Sequence, residues 1–515
     1  SSIMKQAPVG RLGEVQTVSA NPKKITENDV KKYMGKRKWD LLIFASGIDI
    51  PDENGCDAIL DSQNAVLQLF LHILQYMIAS PGCVKRLAVL TVDSFAEETD
   101  IHEEVGLSLV THSTLFGFCN TARQELIDVP LQFIDLEWAC LPETMVYVAS
   151  EIFCTETFGR NSVRILNRGR YVCRQVSSKE YEMPKKDFEG KFSLPEEGHI
   201  IGITGGNGAL GLVMGEWLLM QVEKDRKKGI SHSFTILFLS RSMKISDQNM
   251  PRWKQIKAKA NTLNIEVDHA KCDCGDRAAV QEFIQEHTPN IGGIIHSAGV
   301  LQDALLHNQT WEKFDTVFAS KSRAAMYLHY ALEEYPNPNL KFFWVFSSTS
   351  VFGNNGQSNY SASNSYLDGL TRHRRAIGLP STAIQWGAWG EVGMAANLDQ
   401  ASKKKMENSP MPAFANEDGL RGLELGLSTG LPYFSVFRVN PQIIAGMLHQ
   451  EASVLEQYSS NFFSKLAPLP PPKEVSEDNA YRHLYGWYQA NERLMPVEDR
   501  LVHNAWTLPY IDENE

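Results

Sequence analysis

The chain has 515 residues, 43% of them hydrophobic and 22% charged, with a formal net charge of −11. That length exceeds one ordinary domain, and two or three are expected. The acidic balance, without a basic stripe interleaved with aromatics, excludes a nucleic-acid binder. The start, SSIMKQ, lacks a charged segment followed by an apolar one, so no secretory signal is read, and its leading serine points to a piece cut from a larger protein. From about 10 to 190 strands alternate with helices, which implies a parallel sheet. WDLLIFAS (39–46) is a strand, and a helix follows at 57–79. Its apolar stretch AVLQLFLHILQYMIA (65–79) carries Gln68, His72 and Gln75, too short and too polar for a bilayer, so a buried helix and no membrane partner are expected. VKRLAVLTVD (84–93) and LQFIDLEW (131–138) read as strands on either side of a helix at 106–126, and NSVRILNRGRYVCRQV (161–176) as a hairpin turning at Asn167-Arg168-Gly169.

The second region, about 197–447, repeats this grammar more strongly. Seven strands are read at 199–204, 234–240, 265–273, 291–299, 340–348, 381–390 and 433–439, with helices between them; this is a doubly wound sheet. Eight cysteines are scattered through the chain. Cys272 and Cys274 are the nearest pair, and with no second cluster they make a poor zinc site. No metal is expected, and a reduced, cytoplasmic setting is the simplest one. Beyond 447 the signal fades into a proline-rich linker, LAPLPPPKEV (466–475), and an aromatic helix candidate, YRHLYGWYQANERLM, whose expected role is packing.

Three places carry chemistry. ITGGNGALG (203–211) joins a strand to a helix. Gly205, Gly206 and Gly208 permit a tight turn and close approach of a pyrophosphate, Gly211 lets the helix lie against the sheet, and the helix N-terminus supplies unpaired N–H groups. The next strand ends at Ser240-Arg241-Ser242 rather than at an acid. Arg241 suits a 2′-phosphate and so NADPH, unless it is an ordinary surface arginine. Asp273, closing the third strand, either meets adenine or caps a loop. The second place is FSSTSVFGNNGQSNY, where two serines end a strand and a tyrosine follows 12 or 13 residues later. A serine hydroxyl that holds a carbonyl oxygen, and a tyrosine that protonates it, are what ketone reduction requires beside a nicotinamide. Tyr360 needs a nearby cation to favour its phenolate. One turn later, where a lysine would share its helix face, stands Asn364. The cation must come from elsewhere, and the third place offers it. TWEKFDTVFASKSRAAMYLHYAL (310–332) is an amphipathic helix whose apolar stripe includes Lys321. Lys321 either snorkels or reaches Tyr360.

The motifs TGGNGALG, SRS, HSAGVLQDALL, the helix with Lys321, FSS…GQSNYSASNSYLDGL and QWGAWGEVGM stand in the order of a known family. The chain from 197 to 447 resembles the ketoreductase domains of modular polyketide synthases and animal fatty acid synthase, within the short-chain dehydrogenase/reductase superfamily. The resemblance implies two Rossmann-like subdomains, a truncated structural one (1–195) and a complete catalytic one (196–447), before a C-terminal linker and extension (448–515). STLFGFCNTARQELIDVPLQFIDLEW carries the likeness in the first, which has no phosphate loop and is expected to bind no cofactor. Most of the superfamily places lysine four residues after the tyrosine; polyketide ketoreductases resemble a swapped version, which Lys321 and Asn364 fit.

The resemblance implies a catalytic set of Lys321, Ser348, Tyr360 and Asn364. It implies an NADPH site of Thr204, Gly205, Gly206, Asn207, Gly208, Ala209, Leu210, Gly211, Ser240, Arg241, Asp273, Ser297, Ala298 and Gly299, with Lys321 and Tyr360. Counting back from Tyr360 selects Ser347 as the catalytic serine, whereas strand position selects Ser348, which is preferred. On the substrate side stand Asp303, Phe352, Asn359 and Met394. Family patterns here, Leu301-Gln302-Asp303 and Phe352 in place of tryptophan, imply a D-3-hydroxy product. The implied substrate is a β-ketoacyl thioester on an acyl carrier protein, and the other partners are the remaining domains of a synthase. No G-x-D-S-L carrier motif occurs, so the carrier lies outside this chain. The polar segment 391–414 is expected to form a lid. Lys403–Lys405 with Arg372, Arg374 and Arg375 either meet the acidic carrier or are solvated surface. The competing functions are a free-standing ketone or sugar reductase and a catalytically silent scaffold domain.

Overall fold

A computed structural model describes residues 16–440 apart from 19–20, 36, 52, 54, 95–105, 139–140, 154–161, 167–168, 174–191, 196 and 394–398, together with Trp506 and Thr507. Two sheets are present. In the first, helix α1 (Glu27–Met34), closed at its start by a capping box between Thr26 and Asp29, precedes strand β1 (Leu42–Gly47), helix α2 (Cys56–Ala79) and β2 (Leu87–Val92). Helix α3 (Thr114–Glu125), β3 (Leu131–Leu136), helix α4 (Leu141–Phe153) and the hairpin β4 (Ser162–Leu166) and β5 (Gly169–Cys173) follow. The strands lie in chain order, parallel through β4 and antiparallel at β5. The expected turn residues Asn167 and Arg168 lie outside the described residues, as does the C-terminal helix candidate, while β13 (Trp506–Thr507) pairs with β5. At the carboxyl edge of β2–β4 the guanidinium of Arg164 lies 3.3 Å from Asp93 and 3.2 Å from Asp135, all three buried. Buried charges persist only when paired in this way.

The second sheet has the doubly wound order. Its elements run β6 (Ile200–Thr204), α5 (Ala209–Lys227), β7 (Thr235–Ser240), α6 (Met250–Leu263), β8 (Glu266–Lys271), α7 (Arg277–His287) and β9 (Ile291–His296). Then come α8 (Trp311–Ser320), α9 (Ser322–Glu334), β10 (Phe342–Ser348), α10 (Ser358–Ala376), β11 (Thr382–Trp386), α11 (Gln400–Glu407), α12 (Asn416–Thr429) and β12 (Tyr433–Val436). All seven strands are parallel in the order β12-β11-β10-β9-β6-β7-β8. The order reverses between β6 and β9, which opens a crevice beyond Thr204 and His296.

One element differs from the periodicity. The helix expected across 310–332 is broken at Lys321, where the backbone takes φ −126° and ψ −88° between α8 and α9. Apolar spacing continues through the break, so the pattern hides it. A partner distant in sequence holds it, for the Lys321 carbonyl accepts from His296 Nε2 at 2.8 Å.

The two sheets share a core. Phe70, Leu115 and Phe118 of the first cluster with Leu306, Phe314, Phe318 and Ala362 of the second. Helix α10 lies directly on α3, and the contact is made by small residues. Thr121 Oγ1 donates to Ser361 Oγ at 3.0 Å, and the Gly117 N–H donates to Ser365 Oγ at 3.2 Å.

Candidate active site

Glycine shapes the loop after β6. Gly205 has φ +63°, and a Cβ there would lie 2.8 Å from Ala298 Cα; one on Gly206 would lie 2.7 Å from Phe238 Cα. The Gly208 N–H closes the turn on the Gly205 carbonyl at 2.8 Å. Gly208 then caps α5 with no side-chain acceptor, so the first N–H groups of α5, from Ala209 and Leu210 to Gly211, stay available to an anion. Thr204 ties the loop to its neighbour strand. The Ala298 N–H donates to Thr204 Oγ1 at 3.3 Å, Thr204 Oγ1 lies 2.7 Å from His296 Nδ1, and Ser297 Oγ donates to the Thr204 carbonyl at 2.6 Å. Because His296 Nε2 must donate to the Lys321 carbonyl, Nδ1 is the acceptor from Thr204. Burial pulls this imidazole down to about 4 and keeps it neutral.

Asn207 Oδ1 and Ser240 Oγ are buried without a hydrogen-bond partner on this rim. Arg241 beside them is exposed. A glycine cradle, a helix N-terminus and two orphaned polar atoms fit the pyrophosphate and ribose of a dinucleotide. Asp273 Oδ1 accepts from the Gly275 N–H at 3.0 Å, so it caps its own loop.

The second cluster lies beyond β10. Lys321 is 3% exposed, its Nζ donates to the Phe346 carbonyl at 2.6 Å and sits 5.0 Å from the centroid of the Tyr360 ring. Gly299 lies beside it, within ordinary contact of Nζ. Burial pulls the ammonium down to about 7, against the charge of Asp368. Burial raises the Tyr360 phenol, opposed by a hydrogen bond from Asn364; the Asp303 charge raises it further and a hydrogen bond with Ser348 lowers it. Asn364 also donates back to the Tyr360 carbonyl at 2.9 Å and to Ser350 Oγ at 3.4 Å. The serine pair divides as strand alternation demands. Ser347 Oγ is buried and donates to the Asn364 carbonyl at 3.3 Å, while Ser348 Oγ accepts from the Ser350 N–H at 3.1 Å and faces the phenol. Serine, tyrosine, lysine and asparagine thus meet from three elements.

Comparison with known families decides the matter for this half: residues 200–391 match the model of the KR domain. Residues 200–391 are a KR domain. The chain is 38% identical over 175 residues to the polyketide synthase GfsB of Streptomyces halstedii, covering 33% of this chain and 3% of that protein. It is 32% identical over 231 residues to the highly reducing polyketide synthase GPY1 of Gibberella fujikuroi, covering 45% of this chain and 8% of that one. The chain therefore spans a small part of the curated relatives it matches. Among solved structures, A-type ketoreductases of a modular polyketide synthase superpose with a TM-score of 0.61 at 24% identity, covering 77% of this chain and 76% of that one. The first ketoreductase of the tylosin synthase gives 0.62 at 22%, covering 85% and 84%. The fold is therefore the Rossmann-type α/β fold of those ketoreductases.

Around the KR domain's centre, other expected residues fall differently. Asp303 is exposed and accepts from Gln357 Nε2 at 3.0 Å. Phe352 is largely buried on a 3₁₀ turn (Thr349–Phe352) that precedes the tyrosine. Asn359 is wholly buried; it donates to the Gln302 carbonyl at 2.9 Å and accepts from the Tyr360 N–H at 2.7 Å, so it holds a loop and does not line the cleft. Met394 lies outside the described residues. The segment 391–414 is pinched at its base by the Gly390 and Phe414 backbones, paired at 2.8 Å, and contains the unexpected helix α11.

Lys403–Lys405 are exposed, but Arg372 and Arg374 are buried, Arg372 over the Tyr433 ring and Arg374 over Phe343. The expectation that they form a surface for a carrier is corrected: this end of α10 is covered by β12 and β10, and aromatic faces take up the guanidinium planes. Two neighbours of the KR centre went unread in the sequence. Asp368 stands eight residues after Tyr360, on the same helix face, a spacing that was available to find it. His296 opens the HSAG motif without any periodic signal of its own. Among the described residues no helix is long and apolar enough to cross a membrane, and none of the acidic, histidine or cysteine side chains group as a metal site.

Proposed function

We propose that this KR domain reduces a β-ketoacyl thioester, held on an acyl carrier protein of a polyketide or fatty acid synthase, to the D-3-hydroxyacyl thioester with NADPH. The observation that carries the reading is the buried Lys321 amine 5.0 Å from the Tyr360 ring centroid, with Ser348 at the end of β10 and Asn364 one turn along α10 from the tyrosine. Bound NADPH would supply hydride to the ketone carbon. Ser348 holds the ketone oxygen, and Tyr360 gives it a proton. Burial raises the Tyr360 phenol, which keeps that proton in place until the oxygen needs it. Lys321 steadies the phenolate that remains, and Asn364 orders the turn that presents both. Ser240, Arg241 and the loop from Thr204 to Gly211 hold the dinucleotide, with Ser297, Ala298 and Gly299 lining its other side. In this reading residues 1–195 are a structural subdomain, 196–447 the catalytic one and 448–515 an extension, and the segment 391–414 closes over the substrate.

The test is NADPH oxidation, first with a simple bicyclic ketone and then with a β-ketoacyl thioester. Tyr360→Phe should lower turnover by about 10²–10⁴-fold, the usual cost of a lost general acid, while NADPH still binds. Arg241→Ala should reduce the preference for NADPH over NADH by roughly 10- to 150-fold, the worth of one charge-assisted hydrogen bond. Full activity in Tyr360→Phe would sink the mechanism, and an unchanged cofactor ratio would remove Arg241 from the 2′-phosphate. Chiral chromatography of the product tests the D configuration.

A further inference from the structure

Glu125 ends helix α3 in the first sheet's half of the chain, yet both of its carboxylate oxygens serve loops of the KR domain. Oε2 accepts from the Leu306 N–H at 2.6 Å, and Oε1 accepts from the Gly356 N–H at 2.9 Å. One loop follows β9 and carries Gln302 and Asp303; the other runs from Ser348 to Tyr360 and carries Phe352. The loops also meet each other, through the Ala304 N–H on the Gly356 carbonyl at 2.8 Å and Gln357 Nε2 on Asp303 Oδ2 at 3.0 Å. Further ties come from the same side. Gln75 Nε2 donates to the carbonyls of Leu306 and Gln309 at 3.0 and 2.8 Å. Asn120 Nδ2 donates to the Val351 carbonyl at 2.8 Å, and Thr121 Oγ1 accepts from the Asn354 N–H at 3.3 Å. Gly356 has φ +80°, a conformation that favours glycine, so the loop bends at the residue Glu125 grips.

We propose that Glu125 is a positioning residue: by gripping both loops at once it sets their separation on the substrate side, and thereby which way an acyl thioester enters beside Tyr360. The inference rests on the ketoreductase reading above. A carboxylate accepts at both oxygens, whereas a carboxamide presents an N–H₂ to one of the two donors. Glu125→Gln therefore keeps the shape and releases one loop. Glu125→Asp keeps the acceptors on a shorter arm.

The full chain is tested as wild type and as Glu125→Gln, Glu125→Ala and Glu125→Asp, with a short β-ketoacyl thioester of N-acetylcysteamine as substrate. Glu125→Gln and Glu125→Ala should erode the product enantiomer ratio about ten-fold, as loss of a charge-assisted hydrogen bond implies. They should raise KM more than they lower kcat and leave the dissociation constant of NADPH unchanged. Glu125→Asp should restore part of the ratio. Mere loss of folded protein would lower turnover without changing the enantiomer ratio, so the ratio separates positioning from general stability. If Glu125→Ala does not fold, Glu125→Gln carries the test. A folded Glu125→Gln with the wild-type ratio and KM overturns the inference while the ketoreductase reading stands. If wild type reduces no thioester, that reading fails, and hydrogen exchange still decides the clamp. Faster exchange in at least one of 300–308 and 352–358 of Glu125→Gln upholds it, and unchanged protection in both overturns it.

Discussion

Lys321 is 3% exposed and its ammonium titrates at about 7 rather than at 10.5, because burial outweighs the charge of Asp368. Below pH 7 the lysine is charged in the folded and unfolded chain alike, and the cost of burying the charge is at its largest. From about 7 to 10.5 the unfolded chain holds a proton that the folded chain has released, so this residue's contribution to stability rises with pH. Lys321→Met should therefore stabilise the protein most below pH 7, by an amount on the order of a few kcal/mol, with the gain shrinking towards pH 10.5. Melting curves across that range check it, and a gain independent of pH would refute the assignment. Asp368, raised to about 6 by burial against the hydrogen bond from Gln385 and the charges of Arg372 and Lys321, is an anion at neutral pH. Asp368→Asn removes the charge that supports the lysine. The alkaline limb of the kcat/KM profile should move to lower pH, and an unmoved limb would separate Asp368 from the site.

At the scale of elements, the decisive contact is α3 on α10. A Cβ on Gly117 would overlap the Ser361 carbonyl and approach Ser365 Oγ at 2.9 Å. Ser361 follows Tyr360 directly, so displacement there moves the phenol relative to Ser348 and Lys321. Gly117→Ala should cost about 1–3 kcal/mol, the usual price of overpacking a close-packed contact. Turnover should fall further than NADPH affinity, because the glycine loop joins β6 to α5 and is not on α10. Thermal melts alongside cofactor titration decide this, and an unchanged melting temperature would mean that the helices can separate freely. The break at Lys321 has the same logic. Apolar spacing specifies helix on either side, and the His296 imidazole, at the end of β9, holds the carbonyl between them.

For the molecule as a whole, the shared core removes independence from the two halves. Phe314 and Phe318 of α8 and Ala362 of α10 are buried among Phe70, Leu115 and Phe118, and the ring centroids of Phe118 and Phe314 lie 5.3 Å apart. A chain beginning at 196 would expose that face, an apolar patch of the kind that drives association. It should aggregate or elute as an oligomer, and the full chain should melt in one transition. Size-exclusion chromatography and calorimetry test both, and a monomeric, active 196–440 fragment would refute the coupling.

The sequence by itself determined the elements and the chemistry to look for. Alternation and 3.6-residue spacing named seven strands of the second sheet and most of the first, since those periods arise from local backbone geometry. The glycine loop and the serine–tyrosine spacing were equally local. The absence of a lysine at position 364 posed the need for a cation elsewhere. Helices α1 and α11, short at eight residues each, and helix α4 went unread. Only the tertiary structure decided which serine faces Tyr360, that Lys321 sits at a break rather than within a helix, that Arg372 and Arg374 are buried, and that Asn359 holds a loop. Glu125 shows the reason most plainly. Its partners stand 181 and 231 residues away, and a hydrogen bond across such a distance leaves no period in the sequence, because it depends on how two sheets pack and not on how any one segment folds.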